Sequence, residues 1–290
     1  MVANRAVMES IYRIPDLQSK IPKIEPVETG IEGLDELFYT IKERESEPIT
    51  VPLGGIPRYC VMNVTGVPDT GKSLLVEQFA LHRASLDEKV IFISVETPAE
   101  FVAAALKQRA KATGVPDDKL DQNIIIVDAA SHAALREDHI SLLDTIAHVI
   151  RTYKTKTVVI DSLTGLYEHR EMQARAIIRP IYNFLKKWYQ TALLVTQKRS
   201  SHEEFSAESA GGYAVSHIVD GTMVLFKETI DSTYKQRMYS LPIGETVRLF
   251  RIDGCRMCAH DTSTHLMEIK PNGTIAIGLP LQKLTGGEKK

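Results

Sequence analysis

Cysteine is scarce, with three in 290 residues. So small and odd a number excludes a disulfide framework and fits a reducing, cytoplasmic compartment. No run of eighteen apolar residues occurs, so a membrane-spanning helix is not expected. The amino-terminal stretch MVANRAVMESIYRIPD lacks the apolar core of a secretory signal. An excess of either charge is also missing: 35 Lys and Arg against 37 Asp and Glu leave −2. That excludes a globally basic nucleic-acid protein but leaves a local basic patch open. There is no internal repeat and no linker that would split the chain. What remains is ordinary globular composition, 43% hydrophobic and 25% charged, which excludes a wholly disordered chain.

Residues 1–27 are polar and without a clear period, and they read as a loose lead-in. From Tyr59 onward, short apolar runs alternate with helical patterns. The strand-like runs are Tyr59–Thr65, Lys89–Val95, Asn123–Asp128, Thr157–Asp161, Ala192–Thr196 and Gly221–Phe226. Between them lie predicted helices over Lys72–Ser85, from a capping box at Thr97–Pro98–Ala99–Glu100 to about Thr113, over His139–Tyr153, and over Gln173–Gln190 with a kink at Pro180. The His139–Tyr153 stripe is Leu143, Ile146, Ala147 and Ile150. Strands apolar on both faces and separated by helices predict a mostly parallel sheet covered on both sides, an α/β fold. The carboxy-terminal part differs: Val247–Ile252, Thr264–Ile269 and Thr274–Ile277 are β-type, with Asn272–Gly273 as a hairpin turn. A small antiparallel extension at one sheet edge is expected.

Three features carry chemistry. Gly66-Val-Pro-Asp69-Thr70-Gly71-Lys72-Ser73 matches G-x-x-x-x-G-K-[ST], after a predicted strand and opening a predicted helix. Backbone N–H groups of such a loop and the helix N-terminus make an anion nest, Lys72 can reach the β- and γ-phosphates of a nucleotide such as ATP, and the Ser73 hydroxyl can serve Mg²⁺. Asp161 ends an apolar strand ninety residues further on, where a carboxylate beside the phosphate loop holds Mg²⁺. Glu96 ends the strand that follows the phosphate-loop helix, where a carboxylate can orient and deprotonate an attacking water.

With these motifs the chain resembles the RecA/KaiC family of ATPases, the KaiC branch most closely, from about Val27 to Ile277. Thr29-Gly-Ile-Glu-Gly-Leu-Asp-Glu-Leu37 is similar to the opening motif of that branch, and Gly54-Gly-Ile-Pro-Arg58 to its lead into the first core strand. Glu96, the V-V-I-D-S strand and Gly211–Gly212–x4–His217 follow in family order. The resemblance implies a RecA-like domain over 28–280 with a polar tail over 281–290. It implies ATP and Mg²⁺ as ligands, ATP hydrolysis, and assembly into rings or filaments with nucleotide between neighbours; a homo-oligomeric ring, a hexamer, with slow hydrolysis is the expectation here. It also implies that Gln197, a polar residue after the strand ALLVT, senses the γ-phosphate, and that a basic residue near the domain's end, Arg251, reaches a neighbour's nucleotide.

The chain departs from the family pattern at four points. Glu96 is followed by Thr97, which reads as the cap of the next helix, where KaiC-type chains have a second acid. Asp69 stands where glycine is common and adds negative charge near the phosphates. Asp253 replaces the second basic residue of the terminal K-x-R pattern. The chain has one ATPase core, not two, so clock function does not transfer. Alternatives are a RecA/RadA-like DNA-binding ATPase, or an ATP-binding signalling scaffold or autokinase with little turnover and a protein partner. Against DNA stand the net charge and the acids Glu203, Glu204 and Glu208 in the loop 200–212, with only Lys198 and Arg199 as a basic patch. Cys255-Arg-Met-Cys258-Ala-His260, with His265, has zinc-type ligands, but the spacing is compressed and buried thiols are expected. Trp188 reads as core, and Lys186 and Lys187 as a solvated face.

Overall fold

The computed structural model describes residues 7–44, 47–198, 209–210 and 214–284. In chain order the elements are β1 Pro26–Val27, β2 Phe38–Arg44, β3 Glu47–Pro52, β4 Ile56–Pro57, β5 Val61–Gly66, α1 Lys72–Ser85 and β6 Val90–Ser94. Then come α2 Ala99–Thr113, α3 Asp117–Asn123, β7 Ile124–Asp128, α4 Ala133–Glu137, α5 His139–Tyr153, β8 Thr157–Asp161, α6 Ala174–Lys187 and β9 Thr191–Gln197. The remainder is β10 Gly221–Thr229, α7 Thr233–Tyr239, β11 Thr246–Cys255, β12 Ala259–His260, β13 His265–Ile269, β14 Ile275–Pro280 and α8 Leu281–Leu284.

Among the described residues nine strands form one sheet in the order β14-β13-β11-β10-β5-β9-β8-β6-β7. All neighbours from β10 to β7 run parallel, and those from β10 to β14 run antiparallel. The fold is therefore α/β, with a mostly parallel sheet and an antiparallel carboxy-terminal extension, as expected. β10 belongs to both halves: it pairs with β5 through Gly221↔Met62 and with β11 through Val224↔Arg251.

The apolar composition of β5, β6 and β8 follows from burial on both faces. On one side, Leu75 and Phe79 of α1 and Leu106 of α2 pack with Met62, Val64, Phe92 and Phe250. On the other, Leu142 and Ile146 of α5 and Ile178, Ile181 and Leu185 of α6 pack with Ile91, Ile93, Val158 and Ile160. A smaller cluster joins Val224 and Phe226 of β10 to Val247, Leu249 and Tyr239.

Several local expectations need correction. Thr97 does not cap α2. Pro98 occupies the cap position, and the first helical amide, Ala99 N, donates to Asp128 Oδ2 at the end of β7 (3.0 Å). The apolar stripe of α5 is led by Leu142, fully buried, and not Leu143. Asp138 caps this helix, accepting from Ile140 N and Ser141 N. Helix α6 is shorter than expected, running from Ala174 to Lys187 through Pro180. Lys186 is not on a solvated face, because its Nζ donates to Asp220 Oδ2 (2.8 Å) and Tyr59 O (2.8 Å). Trp188 is half-buried, against α5, with the Arg151 guanidinium 5.2 Å from its ring centre.

Sequence reading also passes over the β2–β3 hairpin, paired from Tyr39↔Pro52 to Arg44↔Glu47, with β12 on its other edge. The opening motif before it is docked on the far end of the sheet. Asp35 accepts from Thr29 N and Oγ1, Ile31 and Leu34 are buried, and Ile277 N of β14 donates to Glu32 O (2.7 Å). At Gly33 (φ +76°) a Cβ would lie 2.0 Å from Ile277 O, so only glycine allows this approach.

Candidate active site

The parallel strands bring their carboxyl ends to one edge, where ligands of open α/β sheets bind. Gly66 is level with Gln197, and Ser94 with Asp161. The residues just beyond these ends are the phosphate loop, Glu96, Ser162 and Lys198.

The loop from Gly66 folds back on itself. Thr70 Oγ1 and Lys72 Nζ both donate to Val67 O (2.9 Å each). A Cβ at Gly66 would sit 2.2 Å from Leu225 O of β10, which explains the glycine there. Lys72 is buried, and burial lowers its pKa against the pull of Asp161 and Glu96. An ammonium held by one backbone carbonyl is ready to exchange that partner for phosphate oxygens.

Asp161 lines the same cleft as Ser73, one residue into α1, which favours its charged form. Its pKa is pushed up to about 6, chiefly by burial and also by Glu77 and Glu96 nearby. A hydroxyl and a buried carboxylate beside a phosphate nest fit Mg²⁺, which takes one or two carboxylates plus phosphate oxygens. A divalent cation would relieve the burial cost of this carboxylate.

Glu96 accepts a hydrogen bond from Gln197 Nε2 (2.9 Å) and another from Ser162 Oγ. The backbone N–H of Gln197 donates to Thr164 Oγ1 (2.9 Å). Glu96, Ser73, Asp161 and Glu77 line one cleft of about 200 Å³, walled by Phe92 and Phe101. Of the residues singled out in the sequence, Gly66, Thr70, Gly71, Lys72, Ser73, Asp161, Glu96 and Gln197 thus gather at one edge.

Two others behave differently. Asp69 (φ +63°) is not a bare charge by the phosphates. Lys227 of β10 and Arg248 of β11, opposite one another in the ladder, reach its Oδ2 at 3.0 and 3.4 Å. Lys227 foremost holds its carboxyl below the usual range. Arg251 lies on β11, and its Nη2 donates to Asp253 Oδ1 of the same strand (2.8 Å). It does not line the cleft of its own chain. Arg199 and Gly211–Gly212, with most of the 200–212 loop, lie outside the described residues. Lys198 is buried and forms no surface patch. The zinc reading finds no support among the described residues, where no group of three His, Cys, Asp or Glu could hold a metal.

Sequence reading misses four charged groups here. Glu77, one turn beyond Ser73, faces the cleft and is gripped by Arg109 Nε of α2 (2.5 Å). Burial raises its pKa while Arg109 opposes. Arg109 also donates to Gly273 O of the β13–β14 turn (2.8 Å). Lys227 and Arg248 are the other two. The i, i+4 spacing of Ser73 and Glu77 on one helix face was the available signal for Glu77.

The family described as ATPase: KaiC matches residues 27–281. Among relatives, a UPF0273 protein of Thermotoga maritima is 27% identical over 267 residues, covering 87% of this chain and 96% of the relative. A UPF0273 protein of Methanocaldococcus jannaschii is 28% identical over 266 residues, covering 86% and 95%. A crystallised KaiC-like protein of Pyrococcus horikoshii is similar in fold, with TM-score 0.65 and 23% identity over 89% of this chain and all of that one.

Proposed function

Because the chain belongs to the KaiC family of ATPases, we propose that it binds ATP with Mg²⁺ and hydrolyses it slowly, working in the cytoplasm as a homo-oligomeric ring. The observation that carries this reading is the setting of Glu96: a carboxylate in the cleft of Ser73 and Asp161, oriented by Gln197 and Ser162. In the proposed reaction the phosphate-loop amides and the N-terminus of α1 hold the β- and γ-phosphates. Lys72 turns from Val67 O to the phosphate oxygens. Ser73 and Asp161 would hold Mg²⁺, which neutralises phosphate charge when bound. Glu96 takes the proton of the attacking water, and Gln197, already bonded to Glu96, links the γ-phosphate to that base.

Arg251 completes the proposal from outside. Turned from Asp253 toward an adjoining subunit, its guanidinium would offset charge on that subunit's γ-phosphate. The ring, probed by sedimentation with and without Mg-ATP, is part of the reading.

The deciding experiment is Glu96→Gln. The variant keeps the hydrogen bond from Ser162 but has no basic oxygen to take a proton. It is expected to bind ATP as the wild type does and to lose turnover by roughly 10²–10⁴-fold. Wild-type turnover in this variant would remove Glu96 as the base.

A further inference from the structure

All three cysteines of the chain meet at one place, at the end of the sheet opposite the phosphate loop. Cys60 immediately precedes β5, Cys255 ends β11, and Cys258 precedes β12. Cys255 Sγ lies 3.6 Å from Cys258 Sγ, with Cys60 close enough to influence it. In the Cys255–Cys258 contact either thiol can donate to the other. Cys60 is fully buried, whereas Cys255 and Cys258 are partly open.

The turn that carries the pair is anchored. Arg256 N donates to Asp220 O (2.7 Å) and Arg256 Nη2 to His217 O (2.8 Å). Lys186 Nζ, which holds the buried Asp220, is 3.5 Å from Met257 Sδ in the same turn. An S–H donor favours the thiolate form of the sulfur it faces. Cys258 first, then Cys60, pull the Cys255 thiol well below its usual range, against the cost of burial. The same contacts push Cys60 and Cys258 up.

We propose that Cys255 and Cys258 are a thiol–disulfide exchange site for small-molecule disulfides, with Cys255 attacking and Cys258 resolving. The Cys255 thiolate attacks one sulfur of the disulfide RSSR. The RS–SR bond breaks, a Cys255–SR mixed disulfide forms, and RS⁻ leaves to take the proton that Cys255 has shed. Cys258 then attacks Cys255 Sγ, expelling the second RS⁻, which takes up the Cys258 proton. Two protein thiols are oxidised to one disulfide, and one RSSR is reduced to two RSH. The sulfurs stand 3.6 Å apart, and the bond would bring them to about 2 Å. Cys60 has no path to an external disulfide and acts only as a donor. The site is independent of the proposed hydrolysis, and its bond would tie the end of β11 to the start of β12.

The test uses the folded chain with glutathione disulfide, followed by acid quenching, alkylation and peptide mass mapping. Wild type is expected to lose two of its three alkylatable thiols, joined as Cys255–Cys258, with no glutathione retained. Cys258→Ser is expected to trap one glutathione on Cys255. Cys255→Ser is expected to react slower by about tenfold or more, and Cys60→Ala to behave as wild type. Titration of wild-type thiols with an aromatic disulfide should find two reactive before denaturation and the third only after it. A link through Cys60, equal reactivity of Cys255→Ser and wild type, or three inert thiols in the folded chain would each overturn the proposal and leave the cysteines as packing residues.

Discussion

Asp69 changes meaning once its neighbours are known. By type it is an acid set among phosphate ligands, yet its carboxylate is shared by Lys227 and Arg248, which lie 158 and 179 residues further along the chain. Asp69→Gly accepts the positive φ and frees both cations to face a nucleotide. Because the carboxylate is largely exposed, the gain is small: ATP affinity is expected to rise about two- to fivefold, measured by titration with a fluorescent analogue. Lys72→Ala acts in the opposite direction, with a loss on the order of 1.5–3 kcal/mol of binding from the missing charge-assisted contact. Unchanged affinity there would separate the loop from nucleotide binding. That the phosphate loop, Asp161 and Glu96 stand at one edge was legible because each ends or follows an apolar strand of the parallel sheet. Lys227, Arg248 and Arg109 were not, since their partners are set by sheet order and no local pattern records that.

At the level of elements, the parallel strands could be read directly, because burial on both faces demands continuous apolar runs. The β2–β3 hairpin could not, since most of its residues face solvent and their mixed polarity imitates loop. Caps were half-legible. Asp138 sits beside the helix it caps, whereas the acceptor for α2 comes from β7, 29 residues away. Asp128→Ala is therefore expected to destabilise the fold by about 0.5–2 kcal/mol, and Thr97→Ala by much less. Denaturant midpoints compare the two, and equal losses would return the cap to Thr97. The opening motif makes a similar point through contact: Gly33→Ala drives a Cβ into Ile277 O. A lower melting temperature is expected, with 28–37 the first segment to exchange its amide hydrogens.

For the whole molecule, the question is whether one chain holds a complete site. The Arg251–Asp253 pair within one strand holds Nη2 of the guanidinium at home until something competes for it. Mixing Lys72→Ala with Arg251→Ala decides. If Arg251 serves an adjoining subunit, two nearly inactive preparations recover hydrolysis together, because some interfaces then combine an intact loop with an intact arginine. Additive rates, with subunit exchange verified, would confine the site to one chain and discard the role given to Arg251.

The middle position of β5 also has a consequence in time. This strand leaves the ribosome early, yet its neighbours are β9 and β10, and Val61 N is satisfied by Asp220, 159 residues later. Until translation passes Gln197 the nascent phosphate-loop strand is an apolar segment without a ladder, and until it passes Gly221 one of its edges stays open, the kind of exposed edge that chaperones shield. Nucleotide therefore cannot template the early steps of folding, and its pocket is among the last features to exist. A chain arrested before β10 should emerge protease-sensitive whatever the ATP concentration, while one released after β14 should gain protection from it.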